Sequence, residues 1–393
     1  RGNTRFGRLN DMYTTTSKGP YRQFVSTIGK ESYNDMTGKL GFSYMINDLH
    51  SIGAYYQNSW NRHNTDGTIP SEIWQDGILL DLYNSDVHNQ STAVPRHYAN
   101  IYYNGIVGKL NIDFNADYIW YKSRELTFNN ELSEMGNDRE VNTSSINRNR
   151  MFAEKLVMTY PLWKGQIEIG EEYTNTRTTN LFSANIPETP NADNRVDENN
   201  IAVFAELGQQ FGRFMIGAGL RYEHVKFNYY EMGLLRDGQS KTYNNIFPSL
   251  NIATEVGKVR MGLNYTGKTI RPGYDQLDGA ISYINRLTYE TGNPYLKPTK
   301  LQTVEYMAQW QRFFAQLSYT YFKDGVYHIT EPYGPDGEAT IIRTANLNHR
   351  HYLQAFVGGN FQVGVWQPKV NIGMMKQWLS LPVNGEQVNM NTP

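Results

Sequence analysis

No cysteine occurs anywhere in the chain. Disulfide frameworks, thiolate catalysis and Cys-ligated metal sites are all removed by that one fact. No apolar run approaches the roughly 18 residues that a spanning helix needs. Charge is sparse and balanced: 19% of residues are charged and the net charge is −1. There is no global basic field, so nothing points to a nucleic-acid partner. The opening Arg1-Gly2-Asn3-Thr4 is polar and lacks the apolar h-region of a signal peptide. Apart from a rhythm of short turns and long connections, no internal repeat is present.

The chain is rich in aromatics, at 13% of residues with 29 Tyr and 7 Trp. Low charge with high Tyr is unusual for a soluble enzyme. The aromatics alternate with polar residues. Val304, Tyr306, Ala308 and Trp310 take one face of a strand, with Thr303, Glu305 and Gln309 on the other. After a reversal at Gln311-Arg312 the pattern returns as Phe313, Ala315, Leu317, Tyr319 and Tyr321. Period-2 alternation on both sides of a short turn is a hairpin. Leu110, Ile112, Phe114, Ala116, Tyr118 and Trp120 likewise alternate with Asn111, Asp113, Asn115 and Asp117. Two carboxylates and two amides cannot face lipid cheaply, so that face must be wet. An apolar, aromatic-rimmed face opposite a polar one is the pattern of a membrane-spanning β-barrel. The mean hydropathy of −0.61 does not oppose this, because only alternate residues would meet lipid.

Short turns are expected at Asn47-Asp48, Gly108-Lys109, Pro161–Gly165, Gln209–Gly212, Glu255–Lys258, Gln311-Arg312 and Gly364–Pro368. Between them lie long stretches near 61–96, 122–147, 177–199, 227–243 and 271–300, read as loops on the opposite edge. A further turn is expected at Ser17-Lys18-Gly19-Pro20, and broken strands around Pro332, Pro335 and Gly337. The expected fold is all-β: a single transmembrane, antiparallel, up-and-down β-barrel with short periplasmic turns and long extracellular loops. It should hold about 14 to 16 strands, each near the 9–11 residues needed to span.

Several motifs carry a family resemblance. Gly292-Asn293-Pro294-Tyr295-Leu296-Lys297-Pro298 resembles the GNPxLKPE signature of TonB-dependent outer-membrane receptor barrels, with Thr299 in place of the usual acid. Thr269-Ile270-Arg271-Pro272 with Tyr274-Asp275-Gln276-Leu277 resembles the family's RPSYxQL strand end. Phe247-Pro248-Ser249-Leu250, Gly219-Leu220-Arg221-Tyr222-Glu223 and Phe322-Lys323-Asp324 resemble its FPSL, GLRYE and YKD segments. The matches occur in family order over about Glu198 to Lys323. The resemblance implies a bacterial outer-membrane location and a barrel of roughly 22 strands, of which this chain is a segment truncated at both ends. It also implies a plug domain outside this sequence, an inner-membrane TonB energy-coupling complex and, as in some members of the family, a surface lipoprotein partner. The cargo would be a scarce or bulky nutrient: siderophore, glycan, cobalamin or peptide. No cofactor and no catalysis are expected. The alternatives are a passive porin and a soluble extracellular β-rich binding or structural protein.

Candidate ligand contacts are Trp74, Leu79 and Leu80, which are costly to expose on a loop, and the lumen-facing Asp113 and Asp117. The plainer readings are packing on neighbouring loops and solvation of the wall. Arg271, Pro272, Asn293, Pro294, Lys297 and Pro298 are singled out by the resemblance alone. His349 and His351 share a strand face but lack a third metal ligand. Asp193, Asp197 and Glu198 lack calcium-loop spacing. Glu171 and Glu172 point to opposite faces and cannot pair.

Overall fold

The computed structural model describes residues 2–16, 19–92, 95–334, 339–383 and 386–392. The expected turn residues Ser17 and Lys18, and Pro335 and Gly337, lie outside these. The described residues form one sheet of 20 strands. In chain order these are β1 (Gly2–Thr16), β2 (Gly19–Asn47), β3 (His50–Gln75), β4 (Ile78–Thr92), β5 (Arg96–Val107), β6 (Leu110–Ser133) and β7 (Arg139–Leu162). There follow β8 (Gly165–Ala184), β9 (Ala192–Phe211), β10 (Phe214–Glu231), β11 (Leu234–Leu235), β12 (Lys241–Val256), β13 (Val259–Ile270), β14 (Ile281–Asn285) and β15 (Thr288–Thr291). The last are β16 (Thr299–Trp310), β17 (Phe313–Tyr333), β18 (Ala339–Asn360), β19 (Lys369–Val383) and β20 (Glu386–Thr392).

Neighbours in sequence are neighbours in the wall, and all wall pairs are antiparallel. β4 and β5 both bridge β3 and β6, one on each half, so they share a single wall position. β11, β14 and β15 lie outside the wall. Sixteen wall positions remain, in line with the alternation count. Among the described residues no pairing joins β1 to β20. All seven expected short turns fall on one edge, several of them on left-handed residues such as Gly108, Gly212 and Gly257 (φ 63°, 60° and 64°).

Register fixes the faces. Leu250 pairs with Ala218 and Tyr265, and Leu263 with Tyr306, so these side chains share the outer face. Leu40 and Ile372 stand on the same kind of face and are 80% and 68% exposed. Aromatics ring this apolar band at two heights. Near the short turns stand Trp163, Phe211, Trp310 and Phe313. Higher up, Tyr56, His97 and Trp120 cluster, with the His97 and Trp120 rings stacked 3.6 Å apart. At similar height Tyr319 bonds His351 at 2.7 Å and Tyr321 bonds His349 at 2.6 Å. Such rings suit the two membrane interfaces.

The stretches read as loops are mostly strand. β3 and β4 fill 61–92, β6 and β7 run well into 122–147, and β8, β9, β10 and β12 do the same for their connections. Strands reach 29 residues rather than 9–11. Above the membrane both faces are wet, so no apolar alternation marks these extensions. Each extension is nonetheless paired in register with at least one neighbouring strand, as β3 is with β4 and β17 with β18. Past Lys323 β17 itself continues through Pro332, which faces Thr340 across the ladder. Only 271–298 is largely irregular, and it turns inward.

Candidate functional site

The inward segment leaves β13 at Arg271 and rejoins the wall at β16. Arg271 bonds Glu223 at 2.9 Å, and Glu223 accepts Arg221, also at 2.9 Å. Arg221 in turn meets Glu172, which binds Lys155 at 2.9 Å. A ladder of alternating charges on the lumen face of β7, β8 and β10 therefore anchors the segment's start.

Two contacts hold the segment across the mouth. On one side Leu277 and Leu296 are buried against Val196, Phe227 and Tyr229, lumen-facing residues of β9 and β10. On the other, the β14–β15 hairpin reaches β2, β3, β4 and β6. Leu287 packs on Tyr21, Ile73 and Tyr83. Arg286 donates to Glu131 at 3.1 Å and to Asp81 at 3.2 Å, and Tyr283 donates to Glu131 at 2.5 Å. Gln23 donates to Asn285 and accepts from Thr288, each at 3.3 Å. Because Glu131 is fully buried, these donors are what keep its charge tolerable.

The Pro-punctuated corner returns the chain to the wall. Gly292 must be glycine: a Cβ there would sit 2.3 Å from the Asp278 carbonyl oxygen. Asn293 caps Tyr295 N at 2.9 Å and donates to Thr344 O at 3.0 Å. The backbone of Lys297 is held in both directions by Asn346, at 2.7 and 2.9 Å. Pro294 and Pro298 stiffen the corner and withhold donors from it.

Between this segment and the wall of β4, β6, β7, β8 and β9 lies a chamber of about 850 Å³. Its polar lining is dominated by amides and hydroxyls, among them Asn89, Ser123, Thr127, Ser145, Asn147, Asn149, Asn180 and Asn194. Tyr121, Tyr274, Tyr283 and Phe182 add ring faces, and Glu125, Asp275, Asp278 and Glu290 add carboxylates. Arg148 contributes as the residue between Asn147 and Asn149; its register partners Lys122 and Thr179 place it on the outer face. Burial pushes the Tyr274 phenol up to about 12. Burial also raises the Asp278 carboxyl, against hydrogen bonds from Ala280 N and Asn194. The chamber is thus built to hydrogen-bond a polar ligand; of the inward guanidiniums beside it, Arg96 lies over Tyr121 at 4.7 Å, and Arg139 lies over Tyr283 at 5.4 Å and is paired with Glu188 at 2.7 Å.

The sequence candidates fall elsewhere. Trp74 bonds Glu72 at 3.1 Å and faces Leu79 at the tip of the β3–β4 hairpin, where Leu80 remains 48% exposed. Asp117 accepts Tyr98 at 2.7 Å and Asn100 at 2.6 Å, a wall network, while Asp113 is exposed in the lumen. None of these five lines the chamber. The resemblance residues do gather at the ends of the inward segment. His349 and His351 lie in the outer girdle, Asp197 is taken by Arg177 at 2.7 Å, and Glu172 faces the lumen opposite to Glu171. No group of three or more His, Asp or Glu able to hold a metal occurs among the described residues. Sequence reasoning missed Asp81, Glu131, Tyr283 and Arg286, for which only an isolated charge in a polar stretch gave any signal.

This geometry defines an outer-membrane barrel wall with an inward-folded outer segment. The profile of the outer membrane protein beta-barrel family matches residues 107–392, and the chain belongs to that family. Its place is the bacterial outer membrane. Among solved structures it is similar to the copper transporter OprC, with a TM-score of 0.58 at 11% identity, over 96% of this chain and 62% of that one. It is also similar to the siderophore receptor PirA from Pseudomonas aeruginosa (TM-score 0.50, 14% identity, 99% and 70% covered). The ferric citrate transporter FecA gives a TM-score of 0.50 at 11% identity, over 95% and 59%. At such identities the likeness is one of fold. The chain spans less than two thirds of the copper transporter's length. No curated protein sequence matches it.

Proposed function

We propose that this chain is the wall of a TonB-dependent outer-membrane receptor that takes up a neutral oligosaccharide. A plug domain elsewhere in the protein would close the lumen, and an inner-membrane complex would supply the work. The observation that carries the reading is the chamber of about 850 Å³ under the inward segment. Its size is that of a small-molecule site. Amides and hydroxyls can exchange hydrogen bonds with sugar hydroxyls, and Tyr121, Tyr274 and Tyr283 offer faces for the apolar side of a pyranose. Four carboxylates on the lining, beside an Arg139 already paired with Glu188, disfavour an anionic cargo such as a ferric siderophore. The wall would be completed by strands beyond residues 2–392, because open sheet edges in lipid cost several kcal/mol per unpaired group.

The test is calorimetric titration of the full-length protein, purified from native membranes, with neutral oligosaccharides, short peptides, ferric siderophores and cobalamin. Oligosaccharide binding weakened about tenfold or more by Asn147→Ala with Asn180→Ala is expected. Tight binding of a ferric siderophore, indifferent to both substitutions, would reject the cargo. Cellular uptake that persists when the proton gradient is collapsed would reject energy coupling.

A further inference from the structure

We infer that the outer surface of β6 and β7 carries a binding site for a phosphorylated glycolipid of the outer leaflet. Four cations stand there on one face: Lys122 and Arg124 on β6, Arg148 and Arg150 on β7. Register places Arg150 opposite Trp120 and Lys122 opposite Arg148. Trp120 faces outward in the upper aromatic girdle, stacked on His97. The cations therefore begin at girdle height and extend upward, two residues or about 7 Å at a time. That is the level of headgroup phosphates, directly above the apolar band.

Three features mark this as more than a solvated rim. All four side chains are exposed, and none has an ion pair, a side-chain hydrogen bond or a ring contact among the described residues. Two like-charged pairs face each other directly, Lys122 with Arg148 and Arg150 with Arg177 of β8. Like charges opposite one another destabilise a sheet unless something neutralises them. The nearby carboxylate Asp197 is engaged by Arg177 at 2.7 Å and by Arg195 at 3.6 Å. Glu154, the next on this face of β7, sits four residues below Arg150 and level with Ala116. Elsewhere at this height cations are fewer: Lys300 faces Lys323 beside His349, Lys226 stands two residues above His224, and Tyr222 and His224 each bond Asn244 at 2.8 Å. A multivalent phosphate headgroup, its acyl chains lying on the apolar band below, neutralises the four charges and continues the lipid contact the wall already makes.

The test uses the full-length protein in detergent with diphosphorylated lipid A as the probe, read by native mass spectrometry. One glycolipid retained per protein is expected. A variant carrying Lys122→Gln, Arg124→Gln, Arg148→Gln and Arg150→Gln should bind about tenfold or more weakly, yet still shift its band on boiling, which shows it folded. Lys376→Gln, an exterior cation over Trp378 at 5.6 Å and outside the patch, should bind as the parent does. Equal binding of dephosphorylated lipid A, or full retention by the fourfold variant, would overturn the site. Displacement by an equal concentration of inorganic phosphate would overturn the lipid assignment in favour of a free anion.

Discussion

Glu131 has no exposed side-chain surface, and its charge is met by Arg286, Tyr283 and Asn129. Arg286 divides itself between Glu131 and Asp81 and also caps the carbonyl of Asn137 at 3.2 Å. Removing the guanidinium leaves a buried carboxylate without its cation, which costs about 3–5 kcal/mol where a pair is fully buried. That cost falls on the docked state of the β14–β15 hairpin, because the wall ladders do not depend on Arg286. Arg286→Ala is therefore expected to raise hydrogen exchange across Ile281–Thr291 by about a hundredfold or more, leaving β6 and β7 protected. Glu131→Gln should do less, since an amide needs no counter-charge. Equal exchange in Arg286→Ala and the parent would mean that apolar packing at Leu287 alone holds the hairpin.

The element in question is the inward segment, whose other anchor contains a titrating group. Burial raises the Asp278 carboxyl, and the charge of Asp275 adds to the effect. An acid raised in the docked state binds its proton more tightly docked than free. Docking is then strongest below the ordinary carboxylate value of 3.8, weakens as pH rises through the raised value, and is constant beyond it. Exchange across 274–280, corrected for its intrinsic rate, should thus show more opening at about pH 7 than at about pH 4. Asp278→Asn should remove the dependence, and a flat profile in the parent would discount Asp278 as its source. None of this was legible in the sequence. The wall was, because lipid on one side and water on the other write a period of two, and Gly108, Gly212 and Gly257 mark its turns. The extended hairpins above the membrane carry no such period. The latch joins positions 81, 131 and 286, which only the closed curvature of the sheet brings together. The corner at Gly292–Pro298 was visible as a motif, but its job of returning a lumen segment to the wall was not.

For the whole molecule the open question is how the sixteen wall positions close. Among the described residues β1 pairs only with β2, and β20 only with β19, both on the upper halves of their partners. A bilayer tolerates a sheet only when every backbone group is paired. Full-length protein from native membranes, extracted in detergent and run cold and boiled on a denaturing gel, tests closure directly. A continuous wall has no edge at which unfolding can start, so the cold band should run apart from the boiled one. Intact mass separates the remaining cases. A shift with a mass well above 45.3 kDa fits a wall filled by a separate plug, and then the inward segment is an outer gate over a closed lumen. A shift with only enough extra mass for a few strands fits a channel, and the inward segment becomes its sole constriction. In that case Arg286→Ala should raise ion conductance in planar bilayers, whereas a plugged barrel would stay silent. Coincident cold and boiled bands would contradict closure itself, and with it the chamber that depends on a complete wall.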